Sequence, residues 1–292
     1  MNNKTSAVIQ NILSMVIFGT IGIFVRGMDI PSGGIACVRG FGGALFLLLV
    51  CAVRRTRPSG IAIRKNLPVL CISGGLIGAN WVLLFESYRF TTVAVSTLCY
   101  YMAPVFVILL SPLVLHERLT LRKGICVFVA LCGMVLVSGV VQTGLPSAGE
   151  NRGILLGLGA AILYATVVLL NQKLHDISAF DKTIVQLAAA SAVILPYCLL
   201  DKTPWVWNMR TVLLLCAVTV LHTGIAYALY FGSMQNLRAQ SVAIFSYIDP
   251  VIAVLLSVFL LREQLGMQPL VGAVLILGAA FFSELPVKNT DA

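Results

Sequence analysis

Charge is what this chain has least of. Of its 292 residues only 11% are Asp, Glu, Lys or Arg, against about 25% in an ordinary soluble domain. Hydrophobic residues make up 59%, and the mean hydropathy is +0.97. A soluble fold of this length cannot hide that much apolar surface in one core. The scarcity of charge therefore excludes a soluble enzyme, a nucleic-acid binder and a disordered chain. Phosphate-binding GxxxxGK[ST], HExxH and GxSxG patterns are missing as well, which speaks against a P-loop nucleotide engine, a zinc protease or a serine hydrolase. The eight cysteines all lie in apolar runs, with no CxxC and no Cys/His cluster, so neither a metal site nor a disulfide framework is indicated. No cofactor is called for. No AxA-like cleavage site follows the first apolar run, which argues against a removable leader.

What remains is a succession of apolar runs. A spanning helix needs about 20 mostly apolar residues. Ten runs of that kind occur, near 6–25, 33–53, 67–88, 92–115, 121–141, 152–171, 182–200, 210–232, 239–261 and 267–284. They predict an all-α integral membrane protein with ten transmembrane helices. Two longer polar connections stand out: Arg54–Asn66, and Gln142–Arg152 at the chain midpoint.

With ten spans both termini share a side. That side collects thirteen basic residues, five of them in 54–66, and the other side collects six; Arg39 lies within a helix and belongs to neither. Loops rich in Lys and Arg stay in the cytoplasm. The expectation is a multi-pass protein of the plasma membrane with both termini cytoplasmic. The net charge of +9 then reports orientation and not an affinity for nucleic acid.

The two halves resemble one another. A shift of 146 residues aligns Tyr101 with Tyr247, Pro104-Val105 with Pro250-Val251, Glu117 with Glu263 and Leu119 with Leu265, without gaps. The same shift pairs Phe18-Gly19-Thr20 with Tyr164-Ala165-Thr166. Five helices is an odd number, so the second copy enters the membrane upside down. The predicted units are 1–145 and 146–292, two inverted five-helix repeats of the kind that many secondary transporters use.

These residues resemble the EamA-type branch of the drug/metabolite transporter superfamily. The resemblance rests on Pro-Val within the fourth helix of each half and on the Glu-x-Leu that follows it, Glu117-Arg118-Leu119 and Glu263-Gln264-Leu265. Phe18-Gly19, Arg39 and the glycines of the fifth helices (Gly124, Gly133, Gly272, Gly278) add to it. One departure is Val185, which stands where the shift would place a second arginine. The resemblance implies a cavity between the repeats, a small organic substrate and, since the branch includes many exporters, export.

A charged group at helix centre costs roughly 2.5–3.5 kcal/mol and usually faces a cavity or a partner. Asp249 stands mid-run beside Pro250, where broken backbone is expected. It reads either as a proton- or cation-responsive carboxylate or as a cap that tidies the kink. Arg39 and Glu86 lie at comparable depths and read either as a structural ion pair or as contacts for a charged end of a substrate. Trp81, Phe85 and Tyr88 share one face of the third helix. The shift carries this stripe to Tyr227, Phe231 and Met234, while Tyr100, Tyr101 and Tyr247 adjoin the prolines. Asn80 and His222 fall near mid-membrane. The stripe reads either as core packing or as an aromatic lining, which would suit an aromatic or aliphatic amino acid or an organic cation. The expected function is secondary transport of a small metabolite, with the bilayer as solvent and a proton as candidate coupling ion. A membrane receptor that binds without transporting, and an intramembrane enzyme, are the competing classes.

Overall fold

The computed structural model describes residues 3–25, 27–91, 93–117, 119–137, 151–261 and 267–284. Among these there is no strand. The helices are α1 (Asn3–Val25), α2 (Ser32–Val53), α3 (Gly60–Ser87), α4 (Val93–Tyr100), α5 (Ala103–Leu115), α6 (Leu121–Val137), α7 (Asn151–Gln172), α8 (Ala179–Leu200), α9 (Met209–Ser233), α10 (Ala239–Phe245), α11 (Ile248–Leu261) and α12 (Met267–Glu284). Six of them, α1, α2, α3, α7, α8 and α9, are long and apolar enough to cross a membrane. Large apolar side chains such as Leu45, Leu49, Leu113, Phe128 and Phe281 are exposed on the bundle surface, which fits a protein whose outer solvent is lipid.

Two of the ten expected spans are split. The run 92–115 breaks at residues 101–102 into α4 and α5, and the run 239–261 breaks at 246–247 into α10 and α11. The breaks fall ahead of the prolines and not at them. Pro104 and Pro250 occupy the first turns of α5 and α11, where a missing N–H leaves no hydrogen bond unmade. The irregular backbone expected at Asp249 is therefore found two residues earlier, and Asp249 is helical in the first turn of α11. A negative charge there complements the helix dipole.

The polar connection 54–66 is also shorter than expected. Ser59 caps α3, its side chain accepting the Ala62 N–H at 3.3 Å, so residues 60–66 form an exposed first turn and a half below the apolar run. In α9, residues Val218–Ile225 form a π-helical stretch that the hydrophobic pattern does not announce.

The helix contacts change places under the 146-residue shift. α3 packs on α8, and α2 on the π stretch of α9. α1 packs on α9 and α11, and α7 on α3 and α5. The pairs α2–α8 and α6–α12 map onto themselves. The α3–α8 contact is close because Gly74 and Gly78 bring backbone onto backbone: a Cβ on Gly74 would stand 2.6 Å from the Gln186 carbonyl oxygen.

The connections gather at two ends. At one, Ser59 N–H donates to Asp181 Oδ2 (3.3 Å), Lys65 pairs with Asp176 (3.2 Å), and Gln235 Nε2 donates to the Ile177 carbonyl (2.7 Å). Glu117 Oε1 accepts the Ala239 N–H at 3.0 Å, capping α10 from the other half of the chain. This is the end that carries the basic loops. At the opposite end Val206 N–H donates to the Asp29 carbonyl, and Asp201, which ends α8, accepts from the Thr203 hydroxyl and N–H, bonds that hold its carboxyl below the usual range. Arg118, Arg262 and Glu263 lie outside the described residues.

Candidate functional site

Eight of the twelve residues singled out in the sequence meet in the middle of the bundle. Arg39 of α2 lies over the Trp81 ring of α3, its guanidinium carbon 4.4 Å from the ring centroid, and it also reaches the Tyr227 hydroxyl of α9. Trp81 meets Tyr227 edge-on at 6.4 Å. These two residues are related by the 146-residue shift, so the aromatic stripes of the two halves touch each other. Tyr227 and Phe231 are 5.4 Å apart on α9. Tyr100 and Tyr101 stand at the α4–α5 break, 6.1 Å apart.

The two breaks hold one another. The Tyr247 hydroxyl, from the second break, donates to the Tyr101 carbonyl in the first at 3.1 Å. The Tyr101 hydroxyl also lies beside the Asp249 carboxylate. A carbonyl released by a broken helix needs such a partner in a medium without water. The positions that the shift makes equivalent, 101 and 247, thus bond to each other directly.

Arg39, Tyr100, Tyr101 and Asp249 are only half-buried although they lie deep within the bundle. Accessible surface in the middle of a bundle is the surface of an internal recess. Trp81, Tyr227, Phe231 and Tyr247 behind them are buried. The recess therefore has one cation, one anion and aromatic walls. Each charge has phenols beside it, and Arg39 Nε has no hydrogen-bond partner among the described residues.

The remaining four sit elsewhere. Glu86 is not paired with Arg39. It bonds Arg89 at 3.1 and 3.2 Å and accepts from the Tyr197 hydroxyl at 2.9 Å. Arg39 stands level with Trp81, five residues and about 7.5 Å deeper along α3 than Glu86, and the structural pair Arg39–Glu86 is corrected to Glu86–Arg89 near the end of α3. Asn80 is buried between α3 and α7, donating to the Ala160 carbonyl at 2.6 Å; it ties two helices together. Phe85 packs on the main core. Tyr88 ends α3 and lies near enough to Tyr100 and Tyr101 to flank the recess.

Three aromatic residues of the cluster were not singled out. Phe18 of α1 stands 5.1 Å from Tyr227 and 6.1 Å from Tyr230. Tyr164 of α7 stacks on Tyr230 at 6.5 Å, and their hydroxyls bond at 2.6 Å. The signal was present: the shift pairs Phe18 with Tyr164, and Tyr230 is one turn from Tyr227. His222, in the π stretch, is fully buried, with Nε2 2.7 Å from the Thr20 hydroxyl and its ring 4.8 Å from Phe24. The Thr20 hydroxyl also donates to the Ile17 carbonyl at 2.8 Å.

Known proteins share this sequence pattern and this fold. The model of the EamA-like transporter family matches twice, over residues 5–139 and 151–285. An uncharacterized transporter, YxxF, of Bacillus subtilis is 27% identical over 94% of this chain and 88% of its own length. An uncharacterized transporter of Archaeoglobus fulgidus is 28% identical over 93% and 94%. The protein RarD of Escherichia coli is 24% identical over 77% and 74%. A crystal structure superposes with a TM-score of 0.86 at 18% identity, over 96% of this chain and 97% of that one, a likeness of fold.

Proposed function

The chain belongs to the EamA-like transporter family, a membrane transporter by its relatives, and on that premise we propose that it exports a small amphipathic metabolite by alternating access. Residues 1–145 and 146–292 are taken as two inverted five-helix repeats that rock about the recess between them. The interchange of helix contacts under the 146-residue shift supports this reading, as does the pair of broken helices meeting at Tyr101 and Tyr247. The protein sits in the plasma membrane with both termini in the cytoplasm, a placement supported by the basic loops gathered at one end.

The observation that carries the substrate class is a half-buried Arg39 and a half-buried Asp249 in one aromatic recess, neither having the opposite charge beside it. A charge kept without its counter-ion inside a bundle is expensive unless a ligand completes it. Arg39 suits a carboxylate, Asp249 an ammonium, and the rings an apolar body. The class is an amino acid or a related organic amine. Asp249 offers one site for which a proton and the ammonium compete, which is a physical basis for exchange.

A thermal-shift screen of the purified protein against amino acids, quaternary amines and nucleosides tests the class, since a ligand that binds the native state raises its apparent stability. Counterflow of the best ligand in proteoliposomes tests transport. Binding without counterflow would favour a receptor. Stabilisation by nucleosides alone would overturn the amino acid and amine assignment.

A further inference from the structure

A second cation of the membrane region has no place in this recess. Lys182 lies in the first turn of α8, at the end that carries the basic loops. A lysine one turn inside a helix end ordinarily stretches its stem and puts the ammonium in water. Lys182 does the opposite. It is 0% exposed, and Nζ has no hydrogen-bond partner among the described residues. The nearby carboxylates are occupied: Asp181 accepts from Ser59 N–H, and Asp176 pairs with Lys65. One turn on, along the same face, Gln186 is also fully buried. Its Nε2 donates to Ser73 Oγ (2.6 Å) and Asn171 Oδ1 (3.2 Å), while its Oε1 is unpartnered. An unpartnered ammonium on Lys182 and, one turn on, an unpartnered amide oxygen on Gln186 are each kept in the protein interior at a cost in stability.

The position has a counterpart. Arg39 stands in the early part of α2, the second helix of the first half. The 146-residue shift places Arg39 on Val185 of α8, and Lys182 is one helical turn before Val185. α2 and α8 pack on each other, Gly40 against Ser191, and α2 starts at the end opposite to the start of α8. Each second helix thus carries one cation near its N-terminus, and the two cations approach opposite ends of the bundle. Arg39 is half-exposed and Lys182 is fully covered. Near the α8 N-terminus, buried Leu174, Ile177 and Met234, with Gln172, His175, Asp176 and Gln235, line a pocket of about 490 Å³ at the basic end; Lys182 is not among its lining residues.

We propose that Lys182 forms a second anion-receiving site, closed while Arg39 keeps accessible surface and uncovered when the basic end opens, where its ammonium takes over the carboxylate end of the transported molecule. This rests on the alternating-access reading above. One cation open and its counterpart shut is what a single state of a two-state device should show.

Lysine acetylation of the full-length protein in detergent, quantified residue by residue by mass spectrometry, tests this. The probes are anionic sulfosuccinimidyl acetate and its neutral succinimidyl analogue, with exposed Lys173 as reference. A minor open state populated at about 0.1–10% predicts that Lys182 reacts roughly 10- to 1,000-fold more slowly than Lys173 while the protein stays folded. The anionic reagent should modify Lys182, relative to Lys173, at least as well as the neutral one. Modification by the neutral reagent alone, or only after unfolding, overturns the proposal. Lys182→Met should melt at the same or a higher temperature, because it removes an unpaired buried amine at similar volume. A lower melting temperature would reveal a structural role and overturn it too. Counterflow that proceeds while Lys182 stays unmodified rejects this site and leaves transport standing. Modified Lys182 without counterflow rejects the transport reading instead and leaves the opening of the basic end standing.

Discussion

Alanine at Gly74 should loosen the α3–α8 seam, and the structure sets the size of the effect. A Cβ there would stand 2.6 Å from the Gln186 carbonyl oxygen, 2.7 Å from Ala189 Cβ and 2.8 Å from Gln186 Cα. Two of these three are backbone atoms, which cannot rotate away as a side-chain tip would. Ordinary contact begins at 3.4 Å, so the two helices must part locally by about 0.8 Å, a gap that forfeits about a quarter to a half of the dispersion energy between facing atoms. Overpacking of this kind costs about 1–3 kcal/mol. The better helix propensity of alanine returns about 0.5–1 kcal/mol, and the net loss should be about 1–2 kcal/mol. Gly124→Ala in α6 and Gly278→Ala in α12 are internal controls, because nothing lies within 4 Å of the added carbon; both should be neutral or slightly stabilising. Adding Gly78→Ala to Gly74→Ala should cost less than the sum of the two, since one separation of the helices relieves both contacts. The assay is the melting temperature of the detergent-solubilised protein. If Gly74→Ala melts with the Gly124→Ala control, α3 and α8 are not in backbone contact and the seam is wrongly placed.

Four other outcomes are expected. Trp81→Ala and Tyr227→Ala should each weaken ligand binding by about tenfold or more, the loss of roughly 1.4 kcal/mol or more, while the variants remain folded; unchanged affinity in a ligand titration would move the recess elsewhere. Tyr247→Phe keeps the ring but strands the Tyr101 carbonyl, so it should lower stability by about 1 kcal/mol and alter the counterflow rate, and wild-type values of both would make that bond incidental. Asp249→Asn should fold and retain substrate counterflow but lose accumulation driven by a pH gradient; full gradient-driven accumulation would reduce Asp249 to a helix-dipole partner. Arg57→Cys in a cysteine-free background should react with an impermeant thiol reagent only after cells are opened, and labelling of intact cells would invert the topology.

Apolar run length was enough to locate the six long apolar helices, because a bilayer fixes how long such a run must be. It could not locate the breaks. The prolines marked the right neighbourhood, yet a proline is harmless in a first turn, so the chain starts α5 and α11 just ahead of Pro104 and Pro250 and leaves residues 101–102 and 246–247 irregular. The polar start of α3 was missed for a related reason: hydropathy reports what enters lipid, whereas Ser59 and the helix-forming residues after it decide where the helix begins. In the site, residue types were legible and partners were not. Run boundaries put Arg39 and Glu86 at comparable though unequal depths, but a few residues along a helix amount to several ångströms, and the packing sets Arg39 level with Trp81 while Glu86, five residues nearer the end of α3, meets Arg89 and Tyr197. The Glu86–Arg89 spacing of three was a local pairing open to view.

The scaffold and the charges obey different symmetries, and that difference bears on mechanism. Helix contacts interchange under the 146-residue shift, as do Tyr101 with Tyr247 and Trp81 with Tyr227. Several polar groups do not, although Glu117 matches Glu263: Arg39 corresponds to Val185, Asp249 to Ala103 and His222 to Leu76. Were two inverted repeats identical, the state open to one end would mirror the state open to the other, and the two would have equal energy in a symmetric bilayer. Any preference between them must come from positions where the halves differ. A ligand shifts such an equilibrium only through unequal affinity for the two states, so direction and coupling are to be sought in the unmatched groups and not in the matched ones. Arg39, Asp249 and His222 all belong to this unmatched set, and Lys182 joins it, since the shift places Ala36 opposite it on α2. On the alternating-access reading proposed above, the symmetric tyrosines and prolines would supply two interchangeable shapes, and these unmatched groups would be the means of telling one side of the membrane from the other.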